Sequence, residues 1–264
     1  MNEAAKIDFT ELNTFLRKNR SVDFRRASLR RRQSIETYNW HVSGEEKETL
    51  LRQLRIYQSV LRVLPKDLDE SVAIKIAEDL LKKDIQSPLQ IATTPQRTFI
   101  QENLSIFADN KGLAGRVYKR AVLKELNTLL RKNRSVDIRR ADLLRKSSIE
   151  ALRWHVSGEE KEALLRHLKA YQRMLRVLPD NLDESAAKKI AGDLLKKGFE
   201  SSLQIAASPR RAFIQDNLSI FADDAELAGQ VYKRAVACRK RVALKYINRS
   251  QQLEPHARAT GLNR

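Results

Sequence analysis

The sequence predicts an all-α protein made by tandem duplication of one multi-helix domain, the two copies joined by a continuous helix. Three observations predict it. Apolar residues recur at three- and four-residue spacing over long stretches, as on the buried face of a helix. The 264 residues include only 8 Gly and 6 Pro, too few for turn-rich β architecture. Slid on itself by 114 residues, the sequence aligns Glu11–Val122 with Glu125–Val236 without a gap, roughly 70 % of positions being identical. Leu-Arg-Lys-Asn-Arg-Ser-Val-Asp recurs at Leu16–Asp23 and Leu130–Asp137, and Trp-His-Val-Ser-Gly-Glu-Glu-Lys-Glu at Trp40–Glu48 and Trp154–Glu162. The period is that of a whole domain, which places a first domain at residues 1–121 and its copy at 122–248. Residues 249–264 are expected to form a basic tail without order.

Within the first copy, Leu12–Arg17 is expected to continue a helix from upstream, and a second helix to cover about Asp23–Asn39. Ser43 and Glu46 have capping-box spacing, repeated at Ser157 and Glu160. From there Leu50, Leu54, Tyr57, Leu61 and Leu64 mark an amphipathic helix stopped at Pro65, matched by Leu164, Leu168, Tyr171, Leu175 and Leu178 before Pro179. A helix over about Asp69–Lys83 exits at Asp84, whose counterpart is Gly198; both residues tolerate left-handed backbone. Ser87-Pro88 opens a short helix and Thr94-Pro95 another. Asp109 is placed to cap the last helix, Leu113 to about Arg131. No breaker lies between Tyr118 and Lys132, so that helix should run straight into the second copy. The matching C-terminal helix should continue past Tyr232 through Tyr246.

Catalysis finds little support. Of four histidines only His41 and His155 recur, each after a Trp and just before a helix start, which fits packing or capping. No His-x-x-x-His pair, Gly-rich phosphate loop or Gly-x-Ser-x-Gly turn occurs. Paired acids such as Asp69/Glu70 and Glu45/Glu46 sit in helix first turns, where the macrodipole favours them. The single cysteine, Cys238, forms neither an intramolecular disulfide nor a Cys-based metal site, and reads as a buried or half-buried filler. The reading is a non-enzymatic protein with no cofactor and no metal. With no long apolar run and no secretion signal near the N-terminus, it is expected to lack a membrane span and to reside in the cytoplasm.

The net charge of +18 carries the functional expectation, because it is local. Residues 17–32 hold eight bases against Asp23, residues 131–146 seven against Asp137 and Asp142, and residues 233–264 nine against Glu254. The rest of the chain is close to neutral. The first strip offers Arg17, Arg20, Arg25, Arg26, Arg30 and Arg31; the second offers Arg131, Arg134, Arg139 and Arg140; the third offers Arg239 and Arg241. Arginine grips phosphate or carboxylate in bidentate fashion, so these strips suit an acidic protein surface or a nucleic-acid backbone. No exposed aromatic ladder accompanies them, which counts against single-strand stacking. The residues set no oligomeric state.

Two resemblances add to this reading. Leu80–Ile100 and its copy Leu194–Ile214 resemble half of a helix-hairpin-helix. The later turn, Ile106-Phe107-Ala108-Asp109 (Ile220-Phe221-Ala222-Asp223), lacks the glycine pair and adds an acid, so the amide nest that holds phosphate in that motif is not expected. The order Tyr-Gln…Leu-Arg-Val-Leu-Pro, Leu-Leu-Lys-Lys-Gly-Phe-Glu-Ser…Ile-Ala, Phe-Ile, then Ala-Gly-x-Val-Tyr-Lys-Arg-Ala is similar to the small helical module near the N-terminus of bacterial Tc-toxin A subunits and virulence-plasmid A proteins. It covers about the last two thirds of each unit. The resemblance implies a helical packing module of a toxin or delivery assembly; no functional residue transfers, and the shell, receptor-binding and pore regions of those subunits have no counterpart here.

Overall fold

A computed structural model describes residues 7–253, and every regular element among them is helical. The chain divides into two compact units. One comprises the residues up to Leu129 together with Val156–Leu164, and the other Leu130–His155 together with the residues from Leu165 onward. In chain order the helices are α1 (Phe9–Lys18), α2 (Arg32–Glu36), α3 (Gly44–Leu61), α4 (Glu70–Lys82), α5 (Pro88–Thr93), α6 (Gln96–Asn103) and α7 (Lys111–Lys132). After it come α8 (Lys146–Glu150), α9 (Gly158–Val177), α10 (Glu184–Lys197), α11 (Ser202–Ala207), α12 (Arg210–Asn217) and α13 (Ala225–Leu253).

The first unit's core forms from the faces that the apolar spacing marks. Leu50, Leu54, Tyr57, Leu61 and Leu64 from the α3 region meet Ile76, Ala77 and Leu80 of α4, with Phe99, Phe107 and Val117 beyond them. Asp69 caps α4 through Ser71 N, and a capping box of Ser87 and Gln90 opens α5 with Pro88 in its first turn. The second unit buries Leu168, Tyr171, Met174, Ile190, Leu194 and Phe213, with α11 and α12 packed on α13. A capping box of Ser201 and Gln204 opens α11, and Gly198 ends α10 at φ +98. Asp84 takes the matching left-handed conformation at φ +61.

Four expectations change. The helix expected over Asp23–Asn39 is instead an irregular loop through residue 31, followed by the single turn α2. The carbonyls of Phe24, Arg25, Ala27 and Leu29 are claimed by side chains of α3 and its C-cap, Arg62, rather than by amides four residues on. Gln58 Nε2 donates to Phe24 O (2.6 Å) and Ala27 O (2.8 Å), Arg55 Nε to Leu29 O (3.0 Å) and Arg62 Nε to Arg25 O (3.0 Å). Asp23 starts the loop by accepting from Arg25 N (2.9 Å), the local side-chain bond that competes with helix. Ser43 makes no capping bond, because Gly44 at φ +56 turns the chain between that hydroxyl and the helix. Asn110, not Asp109, caps α7, accepting from Leu113 N at 2.9 Å. Finally, α13 continues past Asn248 to Leu253; the rest of the expected tail lies outside the described residues.

Candidate functional site

Because the loop of residues 19–31 stands away from α4, a groove of about 1130 Å3 opens between them in the first unit. Leu16, Val22, Phe24, Tyr57, Leu61 and Ile74 give it an apolar floor. Arg17, Arg20, Arg25, Arg26, Arg62, Lys66 and Arg120 supply the bases of its rim, against Asp23, Asp69, Glu70 and Glu78. Tyr57 is 1 % exposed, and its hydroxyl has no hydrogen-bond partner among the described residues. Burial, with Glu78 and Glu70 nearby, pushes the pKa of that phenol well up, so it stays a neutral donor. Burial likewise raises Glu78.

The second unit has a groove of about 650 Å3, and all its lining residues but Ser135 stand 114 positions after a residue lining the first. Its floor includes Ile138, Tyr171 and Leu175, and its rim Arg134, Arg139, Arg140 and Arg176. Tyr171, 3 % exposed, also lacks a hydrogen-bond partner among the described residues, and burial beside Glu184 raises its pKa. The loop is pinned in the same way. Gln172 Nε2 donates to Ile138 O and Ala141 O (both 2.6 Å), and Arg176 Nε to Arg139 O (2.9 Å).

The arginines singled out by sequence separate into different roles. Arg17, Arg20, Arg25 and Arg26 converge on the first groove, and Arg134, Arg139 and Arg140 on the second. Arg25 and Arg139 also brace the loops: Arg25 Nη1 donates to Pro65 O and Arg139 Nη1 to Pro179 O, both at 3.3 Å, and Arg139 Nη2 also reaches Leu178 O. Arg30 and Arg31 are exposed and line neither groove, and Arg131 lies exposed near the end of α7. On α13, Arg239 Nη1 donates to Ala206 O (3.2 Å) while Arg241 is exposed. The singled-out arginines of the first two strips therefore sit mostly on pinned loops, while the third strip lies on α13. No family model, curated protein or solved structure matches the chain.

Sequence reading missed Arg62, Lys66 and Arg120 as groove residues and took Tyr57 for core alone. The signal available for Lys66 was that the residue 114 positions on is Asp180, a charge reversal between two otherwise similar stretches of sequence. Ala108 and Asp109 sit at φ +49 and +58, and the amides of Ala108, Asp109 and Asn110 bond to Ser105, Leu104 and Phe107 carbonyls, leaving no nest for phosphate. His41 Nε2 lies 2.6 Å from Glu11 Oε2, while its Nδ1 is buried without a partner. Among the described residues no three His, Cys, Asp or Glu side chains gather as a metal site, and no helix is long and apolar enough to cross a membrane.

Proposed function

We propose that this chain is a non-enzymatic binding or scaffold module: two copies of one helical unit, joined through α7, whose basic grooves dock an acidic partner segment. The observation that carries the reading is the recurrence of one groove, with an apolar floor, an unpartnered phenol and an arginine rim, at equivalent positions of both units. An apolar floor adds burial to charge, which an acidic yet partly apolar protein segment can use and a bare polyanion cannot. The sequence resemblance to the Tc-toxin A helical module is the ground for proposing a partner within a bacterial toxin or delivery assembly.

A second reading is nucleic-acid binding through the phosphate backbone, favoured by α13, which carries no acid from Leu227 to Leu253 but has Lys233, Arg234, Arg239, Lys240, Arg241, Lys245 and Arg249. The two readings separate in a salt series. The full chain and an Arg20→Glu/Arg26→Glu variant, both positions exposed, are titrated with an acidic, leucine-containing peptide and with mixed-sequence duplex DNA. Docking in the groove predicts peptide binding that keeps a salt-resistant part and weakens in the variant. DNA binding at physiological salt that exceeds peptide binding, and that falls linearly in log–log salt plots, would hand the function to the second reading.

A further inference from the structure

The two grooves differ most at one seat. In the second unit the Asp180 carboxylate bridges two guanidiniums, its Oδ1 lying 2.8 Å from Arg139 Nη2 and its Oδ2 3.1 Å from Arg234 Nη2. The equivalent pair in the first unit is Arg25 and Arg120, and the residue at the position of Asp180 is Lys66. No carboxylate comes between them. The Arg25 side chain donates to Pro65 O (3.3 Å), and that of Arg120 to Val63 O (2.9 Å) and Arg62 O (3.4 Å); neither side chain joins an ion pair among the described residues.

Asp67, next in the chain, does not substitute. Its two oxygens lie 2.6 and 2.7 Å from Arg116 Nη2, one helical turn earlier on α7. The second unit has Asn181 and Gln230 at those two positions, so the acid and its basic partner differ together, and Asp67 is bound to Arg116 instead of bridging Arg25 and Arg120. Burial, then repulsion from Arg25 and Arg116, outweighs the attraction of Asp67 and pulls down the pKa of Arg120. The seat is also open: Arg120 lines the first groove, whereas Arg234 is absent from the lining of the smaller second one, where Asp180 stands instead.

We propose that Arg25 and Arg120 form a carboxylate-binding subsite in the first groove, the seat that Asp180 fills from within in the second, and that it takes a Glu or Asp side chain of the partner segment. This rests on the groove being the docking site. A carboxylate fits better than a phosphate backbone because Asp23, Asp69, Glu70 and Glu78 share the groove. They repel an extended polyanion but tolerate a single acid on an otherwise apolar segment. Tyr57 offers its unpartnered hydroxyl on the floor, and Lys66 adds a cation at the rim.

The test uses the full chain and a fluorescein-labelled peptide of alternating glutamate and leucine at about 100 mM salt, where exposed charges beyond about 10 Å are largely screened. Anisotropy gives affinity, calorimetry gives stoichiometry, and thermal melting checks each fold. The intact protein is expected to bind one peptide tightly, in the first groove, and a second more weakly in the other. Lys66→Asp supplies the missing carboxylate internally, so affinity should fall about ten-fold or more while the melting temperature holds or rises. Asp180→Asn removes the carboxylate that fills the second seat, so the weaker site should tighten toward the affinity of the first. Acetate should displace the peptide at least as well as inorganic phosphate. Two equal sites in the intact protein, unchanged affinity in Lys66→Asp, or displacement by phosphate alone would overturn the subsite and leave the groove reading standing. No peptide binding by any variant would overturn both.

Discussion

Gln58 is buried, and its Nε2 holds the carbonyls of Phe24 (2.6 Å) and Ala27 (2.8 Å), which is why the arginine strip is a loop rather than a helix. Replaced by leucine, it leaves Phe24 O without a partner, while Ala27 O keeps Arg62 Nη2 at 3.3 Å. One buried carbonyl lost predicts a destabilisation of about 1–3 kcal/mol for Gln58→Leu. Arg26→Ala, an exposed residue paired only with Asp23 at 3.4 Å, should stay within about 0.5 kcal/mol. Urea denaturation decides between them, and equal effects would show that the loop is not held from α3. This is also why the loop was illegible in the sequence. Between Phe24 and Asn39 no Gly or Pro announces a break, and the residue that removes the helix stands on another element.

Lys124 shows a titration with a definite sign. It lies on α7 with its Nζ donating to Ser59 O at 3.1 Å, and burial lowers its pKa from 10.5 to about 8. Below pH 8 the folded protein must hold a partly desolvated charge that the unfolded chain keeps in water. Between about 8 and 10.5 the unfolded state binds more protons, so stability should rise with pH there. Lys124→Met should remove that rise. Denaturation midpoints taken at pH 8 and pH 10 test it, and parallel slopes in the two proteins would remove the role assigned to Lys124.

Among the helices, legibility followed the source of each signal. Helices α3 and α4 were readable because burial on one face imposes a period that survives in the sequence, and α5 because Ser87, Pro88 and Gln90 carry their own capping chemistry. Ser43 had the capping spacing without the bond, since spacing does not report the φ +56 of Gly44. The turn after each 3-10 segment (Leu104–Phe107 and Leu218–Phe221) sets non-glycine residues in left-handed conformation, Ala108 at φ +49 and Ala222 at φ +53. A Cβ there costs about 1–2 kcal/mol, offset in part by the greater freedom glycine has when unfolded. Ala108→Gly and Ala222→Gly should therefore each stabilise by roughly 0.5–1 kcal/mol. A loss of stability in both, read from denaturant midpoints, would mean that what the methyl groups contribute outweighs the cost of the backbone angles.

Across the whole chain, +18 of net charge divides between two kinds of surface, and they can be separated. In the grooves, arginines are braced by carbonyls and placed over an apolar floor, an arrangement suited to a shaped partner. On α13 every residue from Arg239 to Ser250 is exposed, including Val242, Leu244, Tyr246 and Ile247, and no acid interrupts the bases. That helix can attract any polyanion without discriminating among them. Truncation after Lys240 removes no buried side chain among the described residues, so the unfolding free energy should change by less than about 0.5 kcal/mol. The truncated protein should elute from heparin at lower salt and lose affinity for duplex DNA, yet bind the glutamate–leucine peptide as the full chain does. If peptide binding falls in parallel with heparin binding, charge alone accounts for both and the grooves are not the docking sites. If only heparin and DNA binding fall, the nonspecific attraction belongs to α13, and the selective binding belongs to the groove that Lys66 leaves open.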